Sequence, residues 1–122
     1  MKYRKFGNTG LVVSEFGFGG IPIQRVDDRE ADEILHCAFD NGVTFYDTAA
    51  GYGTSEERIG KALEKVRDKC VIATKNPAVD YRTSKELFER SLTRLRTDFV
   101  DIFQFHNIAT EDKYEKLIAK DG

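Results

Sequence analysis

The chain has 122 residues, of which 40% are hydrophobic and 33% charged, with a formal net charge of −2. That is enough for one domain with a real core, and the balance is that of a folded globular protein rather than a disordered one. The slight acidity, without any Lys/Arg cluster interleaved with aromatics, excludes a nucleic-acid face, and no apolar run approaches the roughly 20 residues of a membrane span.

Met1 to Lys5 leads into a polar turn rather than the apolar centre of a signal peptide, which points to a cytoplasmic protein. Tyr3–Phe6 and Leu11–Val13 flank Gly7-Asn8-Thr9-Gly10, the pattern of a β-hairpin within residues 1–14. A first strand, Phe16-Gly17-Phe18-Gly19-Gly20, ends in glycines. Ala31, Ile34, Leu35, Ala38 and Phe39 then share a helical face. Asp27 with Glu30 has capping-box spacing before that helix, and Asn41-Gly42 closes it. Val43–Tyr46 reads as a second strand, followed by Thr54 with Glu57 and a helical face of Ile59, Ala62 and Leu63. Cys70–Thr74 is a third strand, followed by Thr83 with Glu86 and a face of Leu87, Phe88, Ser91, Leu92 and Leu95. Phe99–Phe105 is a fourth strand, and a short amphipathic stretch with Tyr114, Leu117 and Ile118 follows it. Cys37 and Cys70 lie in apolar segments without CxxC spacing and read as buried free thiols, so neither a disulfide nor a metal site is expected.

Residues 1–122 thus read as one partial domain: a hairpin, three βα units and a fourth strand, repeating at about 30 residues. Strict alternation implies a parallel sheet, ordered 1-2-3-4, with helices on one side. Two architectures fit: a small doubly wound sheet, or half of a (β/α)8 barrel, which needs eight strands and about 250 residues. The thin cover after the fourth strand favours the half-barrel. Such an arc would leave an inward face of Val43, Phe45, Val71, Ala73, Val100 and Ile102 open, an association surface with unpaired strand edges beside it.

The polar residues sit where the strands end. Asp47 follows the second strand, Lys75 the third and His106 the fourth, and alternation puts each on the inward face of its strand. In a parallel sheet these carboxyl ends share one rim, and Tyr52 lies in the loop leaving that rim after Asp47. Singly, Asp47 and Lys75 would read as an ion pair, His106 as a hydrogen-bonded strand end and Tyr52 as a packed aromatic. Together they suit proton transfer to a carbonyl oxygen. A free tyrosine titrates at about 10; an adjacent ammonium favours its phenolate, and a carboxylate holds that ammonium charged. An imidazole can donate a hydrogen bond to an oxygen gaining negative charge. His36 has no such company and reads as structural. Gly17-Phe18-Gly19-Gly20-Ile21-Pro22 begins like a dinucleotide-binding GxGxxG, but Pro22 stands at the third glycine. GxxxxGK[ST] does not occur.

Five segments, in order, resemble aldo-keto reductases: Lys5 to Leu11, Phe16 to Gly20, Phe45-Tyr46-Asp47-Thr48-Ala49-Ala50-Gly51-Tyr52-Gly53, Ile72 to Lys75, and Asp101 to His106. The resemblance implies the N-terminal half of a (β/α)8 TIM barrel, closed below by the hairpin. It implies NAD(P)H-dependent reduction of a small aldehyde or ketone, with Tyr52 as general acid, Lys75 and Asp47 tuning it, and His106 orienting the carbonyl. Gly19, Gly20 and Ile21, with Asp47, would lie at the nicotinamide end of NADP or NAD, most of whose binding site would come after Gly122. The 122 residues alone are expected to be inactive. A reading from another class is a non-catalytic half-barrel that binds a partner or a regulatory nucleotide.

Overall fold

The computed structural model describes residues 1–119. Strands β1 (Tyr3–Lys5) and β2 (Val12–Ser14) form an antiparallel hairpin in which Arg4 faces Val13. Its turn uses Gly7 and Gly10 at positive φ, the conformation that glycine adopts without penalty, and Thr9 closes it through the Phe6 carbonyl (2.6 Å). The remaining strands, β3 (Gly17–Gly19), β4 (Phe45–Asp47), β5 (Val71–Asn76) and β6 (Ile102–Phe105), form one parallel sheet in the order β3-β4-β5-β6. Helices α1 (Asp28–Asp40), α2 (Ser55–Leu63), α3 (Tyr81–Leu95) and α4 (Glu111–Ile118) follow the successive strands. This is the expected order of a barrel half, and the sheet is not the 3-2-1-4 arrangement of a doubly wound fold. No helix is long and apolar enough to cross a membrane among the described residues.

Alternation decides which face carries the core. Tyr46 and Ile72 point to the helix side, where they are fully buried with Leu35, Ile59, Leu63 and Leu95. The hairpin packs at the amino ends of the strands. Phe6 stacks against Phe45 at 5.6 Å, Ser14 and Thr44 exchange hydrogen bonds, and the Tyr3 hydroxyl donates to the Gly42 carbonyl.

Four expectations are corrected. The apolar inward face is largely covered: Val71 (9% exposed) and Ala73 (0%) are buried, Phe45 and Ile102 are half-buried, and Val43 and Val100 pack on the helix-side core. Val43 and Val100 precede the points at which β4 and β6 begin, so the alternation does not extend back to them. Exposed large apolar side chains include Phe99, Phe103, Phe105, Tyr114 and Ile118 on and beside β6 and α4, as well as Phe16 and Tyr81. Cys70 is buried as expected, but Cys37 is exposed, because two residues beyond buried Leu35 a helix presents its opposite side. The third helix starts earlier than its Thr83–Glu86 signal. Asp80 is its cap, accepting from the Thr83 amide at 2.9 Å, so Thr83 is the third helical residue. Asp27 caps α1 as expected, whereas Thr54 makes no side-chain cap bond to α2.

Candidate active site

The loops after β4 and β6 and the end of β5 meet on the rim opposite the hairpin. Lys75, on the inward face of β5, donates from Nζ to Asp47 Oδ2 (2.7 Å) and to the Thr48 carbonyl (2.8 Å). Its side chain is 11% exposed and that of Asp47 39%, so the ammonium is largely withdrawn from water while the carboxylate keeps one side open. A pair so placed is screened far less than one on the surface.

The segment after Asp47 leaves the sheet slowly, because Thr48 and Ala50 still donate their amides to the Ala73 and Lys75 carbonyls. Tyr52 is then held in a tight turn: its amide donates to the Ala49 carbonyl, and its own carbonyl accepts from the Ser55 amide. This brings its ring centroid to 5.2 Å from Lys75 Nζ. His106 extends the pairing of β6 by donating its amide to the Asn76 carbonyl (2.7 Å), and Asn107 turns the chain away at φ 61°. The His106 and Tyr52 rings meet edge to face, with centroids 5.5 Å apart and planes at 85°. All four rim residues named from the sequence therefore converge.

Gly19 pairs with Asp47 in the sheet register, and the Gly20 amide donates to the Asp47 carbonyl (2.8 Å). A Cβ on Gly20 would lie 2.5 Å from Ser55 Oγ, so glycine is required there, whereas a Cβ on Gly19 would meet nothing within 4 Å. Ile21, 42% exposed, follows on the same rim. Gly19, Ile21 and the open side of Asp47 thus border free space beside the Lys75–Tyr52 pair. Of the two glycines only Gly19 leaves open space there, since Gly20 is packed against Ser55 and Thr48.

Sequence reasoning missed a buried polar layer beneath this rim. Thr48 Oγ1 donates to Ser55 Oγ (2.9 Å), Thr74 Oγ1 donates to Glu56 Oε1 (2.6 Å), and Arg94 Nη1 donates to the Ala50 carbonyl (3.3 Å). A signal was available, since Glu56 falls on the same α2 face as Ile59, Gly60 and Leu63. A 490 Å³ recess lies apart from the rim, lined by Asp28, Asp32, Glu57, Arg58, Lys61 and Arg94 among others. Its guanidiniums are already engaged, Arg58 with Asp28 and Arg94 with Glu57. No group of three His, Cys, Asp or Glu side chains that could hold a metal occurs among the described residues.

A family model described as "Aldo/keto reductase family" matches residues 15–120. An aldo-keto reductase of Bacillus subtilis is 34% identical over 87% of this chain and 38% of its own length. A solved structure from Pseudomonas aeruginosa, a candidate aldo-keto reductase, superposes with a TM-score of 0.85 at 34% identity, covering 95% of this chain and 50% of that one. An aldo-keto reductase from Klebsiella pneumoniae, solved in complex with NADPH, gives 0.71 at 30% identity, over 78% of this chain and 36% of that one. The chain thus spans half or less of the length of each of these three proteins.

Proposed function

Because the chain belongs to the aldo/keto reductase family, we propose that its rim cluster is the proton-transfer site for NAD(P)H-dependent reduction of an aldehyde or ketone. The observation that carries this reading is one ammonium hydrogen-bonded to Asp47 and set near the face of the Tyr52 ring. Lys75 Nζ is 2.7 Å from Asp47 and 5.2 Å from the Tyr52 ring, with His106 edge-on to that ring.

Each side chain has a part in the reduction. Tyr52 gives its hydroxyl proton to the carbonyl oxygen as that oxygen gains electrons. Lys75 stabilises the negative charge left on the phenolic oxygen, and Asp47 keeps the ammonium charged and aimed. His106, on the other side of Tyr52, hydrogen-bonds the substrate oxygen and orients it. Gly19, Gly20 and Ile21, with the open side of Asp47, would hold the nicotinamide end of NADP or NAD. When bound, that group supplies the hydride to the carbonyl carbon; with the proton from Tyr52 the product is an alcohol.

These residues bring four of the eight strands a barrel requires. We therefore assign turnover to the full chain with a closed barrel, and none to the 122 residues alone, since proton transfer is useless without a firmly held hydride donor. The test is loss of NADPH absorbance when the full chain is given a panel of small aldehydes and ketones. Substrate-dependent oxidation is expected. NADPH bound tightly without turnover of any carbonyl would overturn this reading in favour of a non-catalytic nucleotide-binding module.

A further inference from the structure

Glu56 is a buried carboxylate that takes no part in the proposed chemistry. It is 1% exposed, on the apolar face of α2 beside Ile59. A charge so placed is costly unless it is paired and hydrogen-bonded, so its partners show what it is held against. Oε1 accepts from Thr74 Oγ1 at 2.6 Å, and Oε2 lies 3.5 Å from Arg94 Nη1. Thr74 immediately precedes Lys75 in β5, with its side chain on the opposite face. Arg94, from α3, donates also to the carbonyl of Ala50, two residues before Tyr52. The same segment is tied at its two ends by the Thr48–Ser55 hydroxyl bond (2.9 Å). One carboxylate is therefore joined to the strand that carries Lys75 and, through a guanidinium, to the loop that carries Tyr52.

We infer that Glu56, acting through Thr74 and Arg94, is a positioning residue that sets the separation of the Lys75 ammonium and the Tyr52 phenol. The inference rests on the reading of Tyr52 as proton donor. Charge pairing alone would account for a cation beside Glu56; what goes beyond it is that the same Arg94 nitrogen also donates to the Ala50 carbonyl in the loop of Tyr52.

Two variants of the full chain test this beside Tyr52→Phe. Glu56→Gln keeps the size of the side chain; with its amide oxygen turned to Thr74, its NH2 opposes the guanidinium, donor against donor, and displaces Arg94 from its place beside residue 56. Arg94→Met removes the guanidinium at a side chain that is 26% exposed, and it decides alone should Glu56→Gln fail to fold. Each variant is expected to lower kcat about 10- to 100-fold, the scale of a misplacement near 1 Å, with substrate KM and NADPH Kd unchanged and the pH profile of kcat displaced. The double variant should fall no further than the worse single one, as for residues acting in series. With Tyr52→Phe inactive, a wild-type kcat in Arg94→Met would overturn the inference, and so would equal losses in kcat and NADPH binding. Turnover surviving in Tyr52→Phe would instead strike the underlying reading, and the inference with it.

Discussion

Asp80 shows how a single side chain links local geometry to pH. The backbone amide of Thr83, followed by the Thr83 side chain, holds its carboxyl below the usual carboxylate range. A depressed folded value means that its contribution is complete above the unfolded value of about 3.9 and is lost as pH falls through the folded one. Asp80→Ala should therefore be less stable than wild type at neutral pH, with the two thermal midpoints converging in acid. A difference that persists unchanged below both values would show that the stabilisation does not come from the ionised carboxylate. At this scale the rim was legible because Asp47, Lys75 and His106 each follow a run of alternating apolar residues, so their direction followed from strand parity. Glu56 was not legible as a partner of Thr74, because that contact depends on the height at which α2 crosses β5, which no local pattern encodes. Cys70, whose burial pushes its thiol up to about 11, was anticipated as a buried free thiol. Cys37 was misread because an apolar segment was taken for an apolar face.

Among the elements, the approach of α2 to α3 is set by one glycine. A Cβ on Gly60 would stand 2.5 Å from the Arg94 carbonyl oxygen and 2.6 Å from Leu95 Cα. Those are backbone atoms that cannot swing aside, so the helices must separate. Gly60→Ala, which an isolated helix would favour, should cost about 1–3 kcal/mol by overpacking, read as a lower urea midpoint. An unchanged or raised midpoint would mean that the helices part freely there. Because Arg94 lies at the same contact, the separation should also disturb the loop of Tyr52. Strand and helix order could be read from periodicity, since apolar spacing changes from two to 3.6 at each boundary. Ends were less faithful: β6 starts at Ile102 rather than Phe99, because Thr97 turns the chain and Asp101 is drawn to Arg67 (2.7 Å) and the Ile72 amide (2.9 Å).

For the whole molecule, the hairpin covers the amino ends of the strands and leaves open the carboxyl ends, where Asp47, Tyr52, Lys75 and His106 meet. Parallel strands make that division automatic, since every loop leaving a carboxyl end emerges on one rim. The barrel half could be anticipated from βα alternation together with five family-like segments, whereas the burial of Val71 and Ala73 could not, because it depends on neighbouring strands and the hairpin. On the proposed reading, everything turns on Tyr52 as proton donor. The most direct measurement compares the full chain with its Tyr52→Phe variant, following aldehyde-dependent NADPH oxidation and NADPH affinity in parallel. Reduction should be abolished while NADPH affinity stays close to wild type, because the lost hydroxyl serves the carbonyl and not the cofactor. Undiminished reduction, or losses of equal size in reduction and NADPH affinity, would contradict that reading.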